Sequence, residues 1–491
     1  MRHRRLDHFV GATVVALLLA APAAAGSDDV QDQLDVMHEE IQRLRNENAA
    51  MRAEMDVLRR DSLDQALTEQ RAAEIRGIVQ DILADVDMRA SLQDAGLTAG
   101  WDNGHFFLQD PYGRFRLQLE GHLQFRFVYN YNGSAQPQDN FRYGFENTRT
   151  RMTFRGHAFD ETWTYLIRTD FTRNEPALVQ GLEFLRDAWI RKQFTESFSV
   201  RAGQFKLPFN REELVGPEYQ LAVERSGVNE SLNIGRSQGI ELLWNWQSSR
   251  FAFVFSDGGA DELGGIPGLF AGGNSRDVLG NQATLPNPTN TPALFEDTEW
   301  AFTARYEYLI AGSFIQFRDF TSPIDEAFGM MVGFGAHIQE DEANFSRTPG
   351  QVRREWYAYT ADLSVEWGGA NAFASFIHHY APNDRQGRGP QNFFGVVVQG
   401  GMYLTPEWEV FGRQEWGRIR TDSFSTQDYW LLTLGMNYYI DGHDLKWTTD
   451  VGFAFNEVDL FWDFELVGTR GTQGGQTAPQ TVVRTQLQLV F

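Results

Sequence analysis

The chain has 491 residues, no cysteine, 39 phenylalanines, 46 glycines, and 66 acidic against 43 basic side chains, a net charge of −23. That balance excludes a nucleic-acid binder, which needs a basic footprint, and the lack of cysteine excludes disulfide and thiolate chemistry. A mean hydropathy of −0.40, with no 18-residue apolar run beyond the N-terminus, excludes helical membrane spans as well.

Residues 1–25 read as a signal peptide. Arg2, Arg4 and Arg5 form a charged start, Val10–Ala21 an apolar stretch too short to span, and Ala23-Ala24-Ala25 a small-residue cleavage site before Gly26. Residues 27–92 then predict a periplasmic coiled coil. Leu34, Met37, Ile41, Leu44, Asn48, Met51, Met55 and Leu58 step by three and four in strict turn, and a polar residue such as Asn48 at a seam position selects register or strand number. A lone amphipathic helix packed on a domain is the alternative. Gly96, Gly100 and Gly104 break the helical pattern, so residues 93–110 read as a linker, and 111–491 as a separate β domain.

Arg114–Phe127 opens that domain with unbroken alternation. Phe115, Leu117, Leu119, Gly121, Leu123, Phe125 and Phe127 share one face; Arg114, Arg116, Gln118, Glu120, His122, Gln124 and Arg126 share the other. Period two is a strand, in either a soluble sheet or a barrel wall with lipid outside and water inside. Further alternating segments predict about sixteen strands, near 149–158, 163–171, 181–193, 196–206, 236–246, 249–257, 298–308, 329–340, 353–367, 370–380, 392–404, 407–420, 429–440, 443–457 and 481–491. Tight turns such as Gly368-Gly369 and Asp441-Gly442 alternate with longer polar loops at 131–144, 207–235, 258–296, 341–352 and 458–480. Short turns on one rim and long loops on the other are the habit of outer-membrane barrels. Residues 309–328 fit neither pattern and read as an irregular insertion on the short rim. The chain stops at Phe491, behind Thr485, Leu487 and Leu489 on one face, a terminal aromatic resembling the signal that outer-membrane assembly machinery reads.

Energy decides the facing. A cation at the lipid-facing midplane costs roughly 2–4 kcal/mol, and a one-residue slip would turn Arg114, Arg116, Glu120 and Arg126 outward together. The charged face therefore lines a polar, wet lumen. The expected fold is an all-β transmembrane barrel of about 16 antiparallel strands in the bacterial outer membrane, preceded by an N-terminal α-helical coiled coil.

Three motifs carry a resemblance: Gly203-Gln-Phe-Lys-Leu-Pro-Phe209, Glu224-Arg225-Ser226, and Gly235-Arg236-Ser237-Gln238-Gly239. Asp187-Ala188-Trp189 and Glu409-Val-Phe-Gly-Arg413 support it. Together they resemble the phosphate-selective porin O and P family over about residues 104–491. The resemblance implies a sixteen-stranded trimeric channel whose loop 207–235 folds inward and narrows the pore. It also implies anion-gathering arginines, and by position the candidate pore-lining, solute-binding residues are Arg149, Arg151, Arg155, Arg168, Arg201, Lys206, Arg225, Arg236, Arg305 and Arg413. Guanidinium forks match phosphate oxygens. The family's lysine cluster has no counterpart, since lysine occurs at Lys192, Lys206 and Lys446 alone. Inward positions also include Glu120, Asp170, Asp187, Glu241, Glu307, Asp362, Glu366, Glu409 and Asp450, and mixed rings make a transverse field that orients dipolar solutes. Each inward arginine admits two readings, a solute ligand or the ion-pair partner of a cross-strand carboxylate.

No catalytic constellation, metal site or cofactor motif stands out. His378-His379 point to opposite faces of a strand and cannot chelate together, His122 and His157 read as polar lumen residues, and Glu212-Glu213 as a solvated loop pair. The expectation is a passive porin for small hydrophilic, phosphate-like anionic solutes, homotrimeric, in contact with outer-membrane lipid and with no enzymatic activity. The alternative is a structural tether, since seven heptads would reach roughly 70 Å towards the cell wall.

Overall fold

The chain divides into two units, Met1–Ala95 and Gly96–Phe491. The computed structural model describes residues 42–43, 45–47, 51–52, 96–102, 104–132, 141–171, 185–259, 298–341, 352–383, 389–421, 424–456 and 480–491. In the first unit those residues are helical, and Arg43 pairs with Glu47 one turn on at 3.3 Å. The signal peptide and most of the heptad seam lie outside the described residues.

In the second unit alternation becomes strand wherever one face is apolar and the other polar. The strands are β1 (Thr98–Asp102), β2 (His105–Gln109), β3 (Phe115–Asn132), β4 (Phe141–Ala158), β5 (Asp160–Asp170), β6 (Leu185–Gln193), β7 (Phe198–Lys206), β8 (Arg236–Asn245) and β9 (Ser249–Ser256). They continue with β10 (Thr298–Ala311), β11 (Gly329–Asp341), β12 (Arg354–Trp367), β13 (Ala370–Ala381), β14 (Gln391–Tyr403), β15 (Trp408–Thr421), β16 (Phe424–Asp441), β17 (Leu445–Ala454) and β18 (Gln480–Val490). From β3 to β18 each strand pairs antiparallel with the next, and β18 returns to β3. Sixteen strands thus close into a barrel, which leaves no open edge to satisfy within a membrane.

The facing follows the energy argument. Along β3, His122, Gln124, Arg126, Val128 and Asn130 are buried inside, while Leu123, Phe125, Tyr129 and Tyr131 are exposed outside. On that outer surface Phe125 stacks on Phe145, with ring centroids 5.6 Å apart. At the barrel's closure the backbone of Phe491 exchanges two hydrogen bonds with Gly121, at 2.7 and 3.0 Å. The Phe491 ring lies where a β-carbon on Gly121 would point. Glycine in the middle of the alternating stretch is the space into which the chain terminus closes.

Three departures from the sequence reading have physical causes. Residues 93–110 are not simply a linker: β1 and β2 form a hairpin, and β2 pairs with Arg116–Leu119 of β3, just short of where β18 ends opposite His122. The glycines that masked it are part of its construction, because Gly104 turns the hairpin at φ 83° and Gly100 makes room for the Phe107 ring. Second, β4 begins at Phe141 rather than near 149. Gln124 faces Arg149 but Phe125 faces Asn147, so Thr148 is bulged and the alternation changes phase there.

Third, the lumen also carries an apolar patch. Trp356, Ile377, Phe393 and Val397 face inward and join Leu207, Phe209, Val228, Leu232 and Ile234 in one buried apolar cluster. Residues 207–235 are thus an inward-folded segment with its own core, pressed on the inner wall of β12–β14. Burying the segment's five side chains in this cluster contributes on the order of 10 kcal/mol before entropic costs. Residues 312–328, between β10 and β11, form the expected irregular insertion, with a 3-10 turn at Gln316–Arg318.

Candidate functional site in the barrel lumen

The inward loop is built around two short helices, α1 (Arg211–Leu214) and α2 (Gly227–Leu232), capped by the Asn210 and Ser226 side chains. Its backbone polar groups are satisfied by the barrel wall. Arg305 donates to the Phe209 carbonyl at 2.7 Å, Arg413 to those of Glu224 and Arg225, and Lys446 to those of Glu218 and Gln220. In return Glu415 accepts from the Gly227 amide at 2.6 Å and Asp450 from the Val223 amide at 2.9 Å. Arg305 and Arg413 thus lie behind the loop and hold it. Arg225, in the loop itself, donates to the Glu212 and Val215 carbonyls within it.

Glu212 and Glu213 are buried rather than solvated. Glu212 accepts from the Ser226 amide and hydroxyl, both at 2.6 Å; burial lifts it above the usual carboxylate range despite Arg413 and those donors. Glu213 lies between Lys206 and Arg225. Its burial is outweighed by Arg225 and Lys206, which hold it well below that range.

The loop's acidic edge crosses to β3 and β4. Glu224 bonds Arg126 and, at 2.7 Å, Arg149; burial opposes its ionised form, yet the two guanidinium groups keep it far below an ordinary glutamate. Glu218 stands 3.9 Å from His122 and is drawn down to about 2, burial being overcome by the charges of His122, Arg168 and Arg151.

Opposite that edge, β3–β8 carry a second pattern. Asp170 is shared by Arg151 at 2.7 Å and Arg186 at 3.4 Å. Asp187 is shared by Arg236 at 3.0 Å and Arg168 at 3.8 Å, and Glu241 by Arg201 at 2.7 Å and Arg191 at 3.6 Å. Glu120 faces Arg155 at 3.5 Å. Seven arginines share four carboxylates, a surplus of three positive charges. In all of these pairs but Arg151–Asp170 the acid is the more covered partner. Side-chain exposure is 38% for Arg155 against 12% for Glu120, 30% for Arg186 against 8% for Asp170, and 28% for Arg191 against 4% for Glu241. The guanidinium groups keep contact with water while the carboxylates orient them from beneath.

A closed sixteen-strand barrel, narrowed by an inward loop and lined by arginines, agrees with what the sequence matches. The model of the family described as phosphate-selective porin O and P covers residues 115–456. The chain belongs to that family. This porin is an outer-membrane channel and not an enzyme. It is 21% identical over 384 residues to an uncharacterized protein of Aquifex aeolicus (strain VF5), covering 71% of this chain and 83% of that one. Among solved structures it is similar to the anion-selective porin from Comamonas acidovorans, at 13% identity and a TM-score of 0.51, over 76% of this chain and 99% of that one. It is also similar to OmpT of Vibrio cholerae in a trimer form, at 8% identity and a TM-score of 0.47, over 76% and 99%.

Of the ten sequence candidates, the porin brings Arg151, Arg155, Arg168, Arg201 and Arg236 together on the β4–β8 wall. Arg149 is at the loop's acidic edge, Lys206 is held by Glu213, and Arg225, Arg305 and Arg413 serve the loop. Alternation itself puts Arg126 on the lumen face, whereas sequence reasoning passed over Arg191 and Arg186. Arg191 follows from alternation, since it is in register with Arg201. Arg186 does not, because it sits at a bulge between residues paired with Arg168 and Thr169. The two adjacent histidines do part as expected: His379 contacts the Leu232 carbonyl inside, and His378 contacts Asn392 on the neighbouring strand. Among the described residues no group of three or more His, Asp and Glu side chains is arranged to hold a metal ion.

Proposed function

We propose that this porin passes small hydrophilic anions passively, along the arginine-lined wall of β4–β8. The observation that carries this is the sharing of each of Asp170, Asp187 and Glu241 between two guanidinium groups, of which Arg186, Arg168, Arg191 and Arg201 are clearly wetter than the acids they pair with. Half-compensated arginines concentrate anions without fixing them, which permits entry and release. Forked donors suit phosphate and carboxylate oxygens alike. Lys206 and Lys446 are engaged by the loop, so the lumen supports a general anion preference rather than a lysine-built phosphate filter. The test is a planar-bilayer recording under a salt gradient: reversal on the anion side is expected, and reversal at the cation potential would overturn the reading.

The working unit we propose is a homotrimer, as the family resemblance implies, which native mass measurement in detergent checks. The heptad seam within residues 27–92 supports a tether to the cell wall as an additional role. Deleting that segment should weaken envelope attachment while leaving conductance intact.

A further inference from the structure

The constriction loop meets a second inward segment that comes from the opposite rim. Residues 312–328 turn into the lumen and bury Phe317, Phe320, Thr321 and Ser322. Arg211, the first residue of α1, donates to the carbonyls of Phe317 and Asp319 at 2.9 and 3.1 Å. Its guanidinium lies 5.7 and 5.1 Å from the Phe317 and Phe320 ring centres. Phe320 joins Val215, Leu221 and Ala222 of the loop, and Phe373 and Phe411 of the wall, in one apolar cluster with Tyr219 against it. From the insertion's side Arg318 lies over the Tyr219 ring at 4.5 Å. The insertion is itself anchored, since Gly368 and Gly369 in the β12–β13 turn donate to the carbonyls of Glu326 and Pro323 at 3.0 Å.

We infer that the constriction is composite, with Arg211 as the positioning residue that fixes loop 207–235 on the short-rim insertion 312–328 and so sets the width of the passage. The stems of the loop are joined by one backbone bond, from the Leu207 amide to the Gly235 carbonyl; the far end near Leu221 is held by Asn437, Lys446 and Asp450 of the wall and packs on Phe320, while Arg211 ties the α1 end to the insertion. A planar fork that reaches two diverging carbonyls and two rings at once is a task suited to arginine. Arg211 is buried away from the wet arginine wall, so it acts on the geometry of the passage and not on its charge. The inference holds whichever sign of ion the channel prefers.

Arg211→Ala and Arg168→Gln, each in the full chain in planar bilayers, separate the two roles. Arg211→Ala should change the open conductance at least twofold, add rapid sub-level transitions and admit larger neutral polymers, with the reversal potential unmoved. Arg168→Gln should shift the reversal potential and leave the polymer cut-off in place. A folded Arg211→Ala barrel with wild-type conductance, noise and cut-off would overturn the inference. Should Arg211→Ala not assemble, Phe320→Ala keeps the guanidinium bonds and loosens the same contact, and the same measurements then decide.

Discussion

A carboxylate shared by two arginines is the recurring unit of this lumen, and it has testable consequences residue by residue. Glu241 bonds Arg201 and reaches Arg191. Glu241→Gln should leave both cations in place, raise the anion preference measured by reversal potential, and cost about 1–3 kcal/mol in stability by loss of charge-assisted hydrogen bonds. Arg191→Gln should do the opposite to selectivity. Glu224 is more demanding because Arg126 and Arg149 both pair with it; Glu224→Ala would leave Arg149 without a carboxylate and Arg126 with Glu146 alone, at a cost of about 3–5 kcal/mol. The pH response follows in sign. Glu218 and Glu224 are ionised well below their ordinary 4.5, so their anchoring is complete above that pH and is lost as pH falls, for Glu218 towards about 2. His443, beside Asp319, Lys446 and Glu218, has its protonation suppressed by burial first and then by Lys446. The folded state therefore resists its charging, and acidification below its ordinary 6.5 works against the fold. Conductance should be steady from pH 8 to 7 and become unstable in acid. A flat conductance down to pH 3 would contradict the charging cost assigned to His443, and only a flat conductance below about pH 2 would contradict Glu218 as an anchor.

At the scale of elements, glycines and bulges decide where strands can meet. Gly203 adopts φ 131°, and a β-carbon there would press on the backbone of Ala188 and Trp189. Gly203→Ala should strain the β6–β7 pair by about 1–3 kcal/mol, visible as a lower thermal transition of the refolded barrel. Phe491→Ala should empty the place over Gly121 and loosen the closure of β18 on β3, whereas Phe491→Tyr should be tolerated. Both are checked by the fraction of heat-modifiable folded barrel. Strand existence was legible because a polar face repeats every second residue, as in β3. Strand ends were less so: the bulged Thr148 inverts the alternation, and the hairpin of β1 and β2 is only five residues per strand. β12–β14 hold apolar side chains on both faces, against lipid and against the loop, yet their alternation still marked strands at 353–367, 370–380 and 392–404.

For the whole molecule, alternation, turn lengths, the terminal aromatic and the family-like motifs by themselves determined a sixteen-strand outer-membrane barrel with arginines inside. These are short-range or per-residue properties: period two is local, and the lipid penalty acts on each charge separately. Which inward arginines hold the loop and which stay partly wet was decided only by the tertiary structure. Arg305 and Arg413 alternate inward just as Arg155 and Arg168 do, yet the former two hold loop carbonyls and the latter two stay partly wet. The difference arises from contacts between residues some 20 to 190 apart in the chain, which no periodicity encodes. The same holds for the apolar patch inside the lumen and for the meeting of residues 207–235 with 312–328. Side chains there are chosen by what folds in from the opposite rim, and that partner is fixed only once the barrel closes.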